Sequence, residues 1–108
     1  MRRSGKAEEA IATSEQAFAL FQEAGDKVGA GRASWSLATA CDLCGHSAES
    51  RQAAQTALEL CQETGDQFGI GNAYNAISIG EGDIAARIKQ LQQAGRAFER
   101  AGYLERQA

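Results

Sequence analysis

An all-α fold, a solenoid of about five helices in antiparallel pairs, is what three features of this 108-residue chain predict. Proline is absent and alanine occurs 22 times, the worst and the best helix formers respectively. β-branched residues are few and scattered, so extended strands lack their usual material. The third feature is an internal repeat. Glu23-Ala24-Gly25-Asp26-Lys27-Val28-Gly29-Ala30-Gly31-Arg32-Ala33 shares the frame E-x-G-D-x-x-G-x-G-x-A with the segment from Glu63 to Ala73, forty residues on. The same offset relates Leu20, Gln22 and Glu23 to Leu60, Gln62 and Glu63, and Ala17-Phe18 to Ala57-Leu58 and Ala97-Phe98. Repeats of this length signal stacked supersecondary units, and the length allows one domain, 1–108.

The first helix is predicted over about 6–24, where Ala7, Ala10, Ile11, Ala17, Phe18 and Phe21 recur at helical spacing. Gly25 suits the left-handed stop after it, and Asp26 suits the cap of the next. That second helix, 27–44, turns Ala33, Leu37, Ala38 and Cys41 inward, with Cys44 at its margin. Gly45-His46-Ser47 is the turn, with Ser47 as N-cap of a third helix, 47–64. Ala54, Ala57, Leu58 and Cys61 form its inner face. Gly65-Asp66 repeats the stop and cap, and a fourth helix, 67–79, carries Ile70, Ala73, Tyr74 and Ile77. Gly80-Glu81-Gly82-Asp83 then comes earlier than the repeat requires. Two glycines and an Asp favour a break, with Asp83 capping a fifth helix over 83–102, rather than one long bent helix. The stripe of that fifth helix is Ile84, Ile88, Leu91, Ala94, Phe98 and Ala101, and Phe98 is expected to be buried.

Gly25, Gly29 and Gly31 could suggest a phosphate-binding loop. That loop needs a preceding strand and a following Lys-Ser/Thr, and neither is present. Duplication of the pattern at Gly65, Gly69 and Gly71 marks a structural device, in which small residues let helices approach closely.

On these residues the chain resembles a tetratricopeptide-repeat (TPR) array. Trp35, Leu37-Ala38, Gly45 and Ala57-Leu58 match the large, small, turn and Ala-Leu positions of one unit, Trp35 one place off. Glu8-Glu9-Ala10-Ile11 with Ala17-Phe18, and Tyr74 and Ile77 with Ala97-Phe98, supply the partial units on either side. Ser50 and Gln90 stand where helix B usually carries Ala. The usual period is about 34 residues. Units of forty with Gly-Asp-x-x-Gly between them are similar to a subclass found in cell-polarity scaffolds and bacterial signalling proteins. By this resemblance the chain starts within a helix B and ends approaching another helix A, as a fragment of a longer array. The resemblance implies a protein–protein interaction module that takes a partner protein or peptide on the concave face of the helices A. The alternative it implies is a regulatory or dimerisation segment of a larger signalling protein carrying a cyclase, ATPase or DNA-binding domain.

In that geometry the candidate partner-binding residues are Arg32, Trp35, Thr39, Asn72, Asn75 and Ile79. Trp35 lies beside the stripe of its helix, so it either packs between units or faces the groove as an aromatic anchor. Asn72 and Asn75 lie three apart on one helix face, where their amides can grip a peptide backbone or simply be solvated.

No catalytic set can be named, and the chain is read as a non-enzyme without a cofactor. The one histidine, His46, sits on a turn with no paired acid, which leaves general acid–base chemistry without candidates. Cys41, Cys44, His46 and Cys61 have the residue types of a zinc site. The hairpin, however, puts Cys61 about ten residues, or about 15 Å, beyond the position opposite Cys41. Zinc holds its thiolates at about 2.3 Å, so no metal site is expected. An odd number of cysteines at packing positions points to reduced thiols in the cytoplasm.

The net charge of −3 argues against nucleic-acid binding, which uses a basic stripe. No apolar run reaches the roughly 20 residues of a membrane span. Arg87, Lys89, Arg96, Arg100 and Arg106 against Glu99 and Glu105 give the last segment a small positive excess and a weak preference for acidic partners. The first and fifth helices carry more apolar surface than one neighbour covers, so the chain is expected to self-associate as a two-fold homodimer through its terminal helices.

Overall fold

Five helices in chain order make up the computed structural model: α1 Arg2–Ala24, α2 Lys27–Leu43, α3 Ser47–Thr64, α4 Gln67–Ile79 and α5 Ile84–Gln107. It describes the backbone of residues 2–107 and the side chains of 5–102, and contains no strand among them. Arg106 and Glu105, counted in the charge of the last segment, have side chains outside the described residues.

The ends of the helices follow from local chemistry. Gly25, Gly45 and Gly65 adopt φ of 73°, 77° and 71°, the left-handed region that a Cβ disfavours, and each closes a helix. Asp26 and Asp66 then cap α2 and α4, their carboxylates accepting from the N–H groups of Gly29 at 2.9 Å and Gly69 at 3.3 Å. Asp83 does the same for Ala86 at 3.0 Å and breaks the chain between α4 and α5. The cap of α3 differs from expectation. His46, not Ser47, holds the N-cap position and offers no side-chain bond, because Gly45 stops α2 one residue earlier than a serine cap needs.

Each helix packs on its neighbours in sequence, and α2 also touches α4, whereas among the described residues α1 and α3, or α3 and α5, do not meet. One face of the molecule is therefore shared by α2 and α4, with α1, α3 and α5 behind. The molecule is a slab of 44 × 38 × 20 Å, two helix diameters thick.

Alanines dominate the core. Ala38, Ala53 and Ala54 form one cluster, with Leu37, Ala76 and Ile77 against it. Ala57, Leu58 and Ala73 form a second, flanked by Trp35, Ile70, Tyr74 and Ile77. Helices so faced lie close, and two serines bond between them. Ser50 Oγ donates to the Ala38 carbonyl at 2.8 Å and Ser34 Oγ to that of Ala53 at 2.9 Å. Ser50, where an alanine is usual in the resembling family, thus satisfies its buried hydroxyl by tying α3 to α2.

Glycine sets the closest approaches. A Cβ at Gly31 would lie 3.0 Å from Cys61 Sγ, and one at Gly71 would lie 2.7 Å from the Phe98 ring. Repeat identity makes Phe98 the mate of Leu58, yet the structure gives it the place of Cys61, against the second glycine of its unit. The early end of α4, 13 residues long against 17 for α2, is the reason. Asp66 follows Asp26 by forty residues, but Asp83 follows His46 by only 37, so α5 meets α4 three residues out of the repeat's register.

The stripe of α5 is accordingly split. Ala94 and Ala97 are buried, and Phe98 is half-buried with its ring edge on Phe68, centroids 5.9 Å apart. Phe98 is less enclosed than expected because it ends on a glycine rather than in a pocket between units. Ile84, Ile88 and Leu91 face outward, 74%, 52% and 43% exposed. On α1, Ala7 is buried and Ile11, Ala17, Phe18 and Phe21 are half-buried, but Ala10 is exposed, since only α2 covers this helix.

Candidate functional face on helices α2 and α4

The six residues singled out on the sequence are three repeat-equivalent pairs, Arg32 with Asn72, Trp35 with Asn75 and Thr39 with Ile79. Steps of three and four place each triple along one face of its helix. Because α2 and α4 are in contact, the two faces neighbour one another.

Their environments differ. Arg32 is committed within the chain, its Nε 2.8 Å from Asp66 Oδ2 and its second guanidinium nitrogen 2.9 Å from Oδ1. This fork joins the first unit to the cap of the second. It raises the Arg32 pKa and lowers that of Asp66, in both cases chiefly through the shared hydrogen bond. The guanidinium also lies 5.6 Å from the centre of the Phe68 ring, a cation–π distance. Lys27 and Glu63, 2.6 Å apart and both half-exposed, make a second link between the units.

Trp35 is half-buried and packs against the cluster of Ala57, Leu58 and Ala73, so its ring lies between units. Its Nε1 is buried without a hydrogen-bond partner among the described residues. Thr39 is exposed, and its hydroxyl donates to the Trp35 carbonyl one turn back at 3.1 Å. Asn72 Nδ2 donates to the Phe68 carbonyl at 3.0 Å, which leaves its oxygen available. The Asn75 side chain is exposed and makes no hydrogen bond among the described residues, while its carbonyl accepts from Ser78. Ile79 is 52% exposed at the end of α4.

Sequence reasoning missed Val28 and Phe68, a repeat-equivalent pair 40% and 47% exposed. They extend the two stripes by one turn, at 28, 32, 35, 39 and 68, 72, 75, 79. Their four-three-four spacing continues each stripe, but their exposure depends on how α2 and α4 meet. The face is thus apolar at its margins, at Val28, Phe68 and Ile79, and carries amide and hydroxyl groups between them.

Burial drives the Cys61 thiol up to about 11, with the Asp66 carboxylate adding to it, so the thiol is neutral and packs as an apolar group beneath Gly31 and Gly69. Burial likewise raises Cys41. No group of three or more His, Cys, Asp or Glu able to hold a metal occurs among the described residues. No helix among them is long and apolar enough to cross a membrane. Compared with protein-family models, curated proteins and solved structures, the chain matches none.

Proposed function

We propose that this chain is a helical-repeat interaction module of TPR type, a solenoid segment whose α2–α4 face takes an extended stretch of a partner protein. The observation that carries the reading is the pair of repeat-equivalent stripes on two touching helices, with the amide oxygen of Asn72 and the whole amide of Asn75 unused among the described residues. An extended peptide presents backbone donors and acceptors alternately, and an Asn side chain offers both. Val28, Phe68 and Ile79 supply apolar margins for side chains of that peptide. Arg32 organises the face by holding Asp66, and Trp35 supports it from beneath. A cytoplasmic setting agrees with three free thiols, two of them buried at packing positions.

Panning a random dodecapeptide library against the immobilised chain tests this reading, followed by amide shift mapping with the recovered peptides. The expected shifts cluster on Arg32, Thr39, Asn72, Asn75 and Ile79. Asn72→Ala with Asn75→Ala should then weaken binding by roughly 1–3 kcal/mol, the worth of one or two hydrogen bonds, without lowering thermal stability. Shifts confined to α1, α3 or α5 would contradict the proposal.

A further inference from the structure

The outward stripe of α5 has no role in the face just described. Ile84, Ile88, Leu91 and Gly95 follow one another at steps of four, three and four, the narrow spacing of a helix–helix seam. The three large residues are exposed, and a Cβ built at Gly95 meets nothing within 4 Å. Glycine inside a helix is unfavourable relative to alanine, and no contact among the described residues requires it here. Gly102, seven residues further along the same face, is equally open, so this face of α5 leaves room for close approach of another helix.

We propose that this stripe pairs antiparallel with the same stripe of a second copy, independently of the α2–α4 reading. The stripe is complementary to itself in one register. When Ile88 lies opposite Leu91 of the second copy, Ile84 falls opposite Gly95, a large side chain over a vacant position. Each contact occurs twice about the two-fold axis. In that register Asp83, at the start of α5, falls opposite Arg96, an opposite-charge pair, and the cations Arg87 and Lys89 fall opposite the amides of Gln92 and Gln90. A parallel pair would instead set glycine on glycine, leaving a void, and Asp83 on Asp83. Shape and charge therefore select the antiparallel arrangement.

Sedimentation equilibrium over a hundredfold concentration range tests the pairing. The unaltered chain should pass from monomer to dimer. Gly95→Leu, which fills the vacancy without a clash in the monomer, should weaken dimerisation at least tenfold while melting no lower at dilute concentration. Leu91→Gln should weaken it similarly. Spin labels on Arg96→Cys, in a Cys44→Ser background, should lie about 20 Å apart along the paired helices, thirteen residues at about 1.5 Å each, against about 10 Å for a parallel pair. A monomer at every concentration, undiminished dimerisation of Gly95→Leu, or the shorter label distance would each overturn the proposal.

Discussion

Two glycines on the last helical pair make opposite demands. A methyl group at Gly71 would stand 2.7 Å from the Phe98 ring, whereas one at Gly95 would touch nothing among the described residues. Gly71→Ala gains helix propensity of about 1 kcal/mol but forces the ring off its neighbour, and overpacking costs about 1–3 kcal/mol. The expected net is a loss of about 1 kcal/mol in urea unfolding, while Gly95→Ala should gain about that much at dilute concentration. The Arg32–Asp66 fork gives a second residue-scale test. Asp66 is held below the ordinary carboxylate range by its hydrogen bond to Arg32, so the ionised form is favoured in the folded chain. The stability this brings is present above about pH 4 and is lost as pH falls through the lowered value. Arg32→Gln should therefore cost about 1 kcal/mol or less near neutral pH, Arg32 being half-exposed, and the difference should fade as pH falls below the ordinary carboxylate range. Residue roles were legible where they are local. Gly25-Asp26 and Gly65-Asp66 announce a left-handed stop followed by a cap. Phe68 was not legible, because its exposure and its place beside Arg32 depend on how two helices forty residues apart meet.

Helices that share a sequence pattern need not share a register. The hydrophobic spacing of α5 repeats that of α3 at forty residues, but the stretch from cap to cap before α5 is three residues shorter, because α4 has 13 residues where α2 has 17. Where one helix stops fixes which turn of the next meets it, and the side-chain periodicity of that next helix carries no record of it. The five helices could thus be read from capping and periodicity. The partial exposure of Phe98 and the exposure of Leu91 could not, since both depend on this shift. The cap itself is testable. Asp83 accepts from the Ala86 N–H, and Glu81 accepts from the Asp83 N–H at 3.1 Å, so the start of α5 is held by two carboxylates. Asp83→Ala should cost about 1 kcal/mol. Hydrogen exchange should quicken at Ala86 and its neighbours and stay unchanged in α2 and α3. Faster exchange across the whole chain would mean that the cap governs global rather than local stability.

On the scale of the molecule, everything proposed for the α2–α4 face depends on those helices meeting. That contact joins the two units on one side, and the Arg32–Asp66 and Lys27–Glu63 pairs fix the units together. Trp35 is placed to report it, since it is the only tryptophan in the chain and lies on α2 against a cluster contributed by α3 and α4. Its indole resonances can be assigned without substitution. The most direct measurement is a nuclear Overhauser spectrum of the unaltered chain at low concentration. Cross-peaks are expected from the Trp35 ring to the methyl groups of Ala57, Leu58 or Ala73. A ring whose cross-peaks stay within α2, with fluorescence quenched freely by acrylamide, would contradict the packing on which the shared face rests.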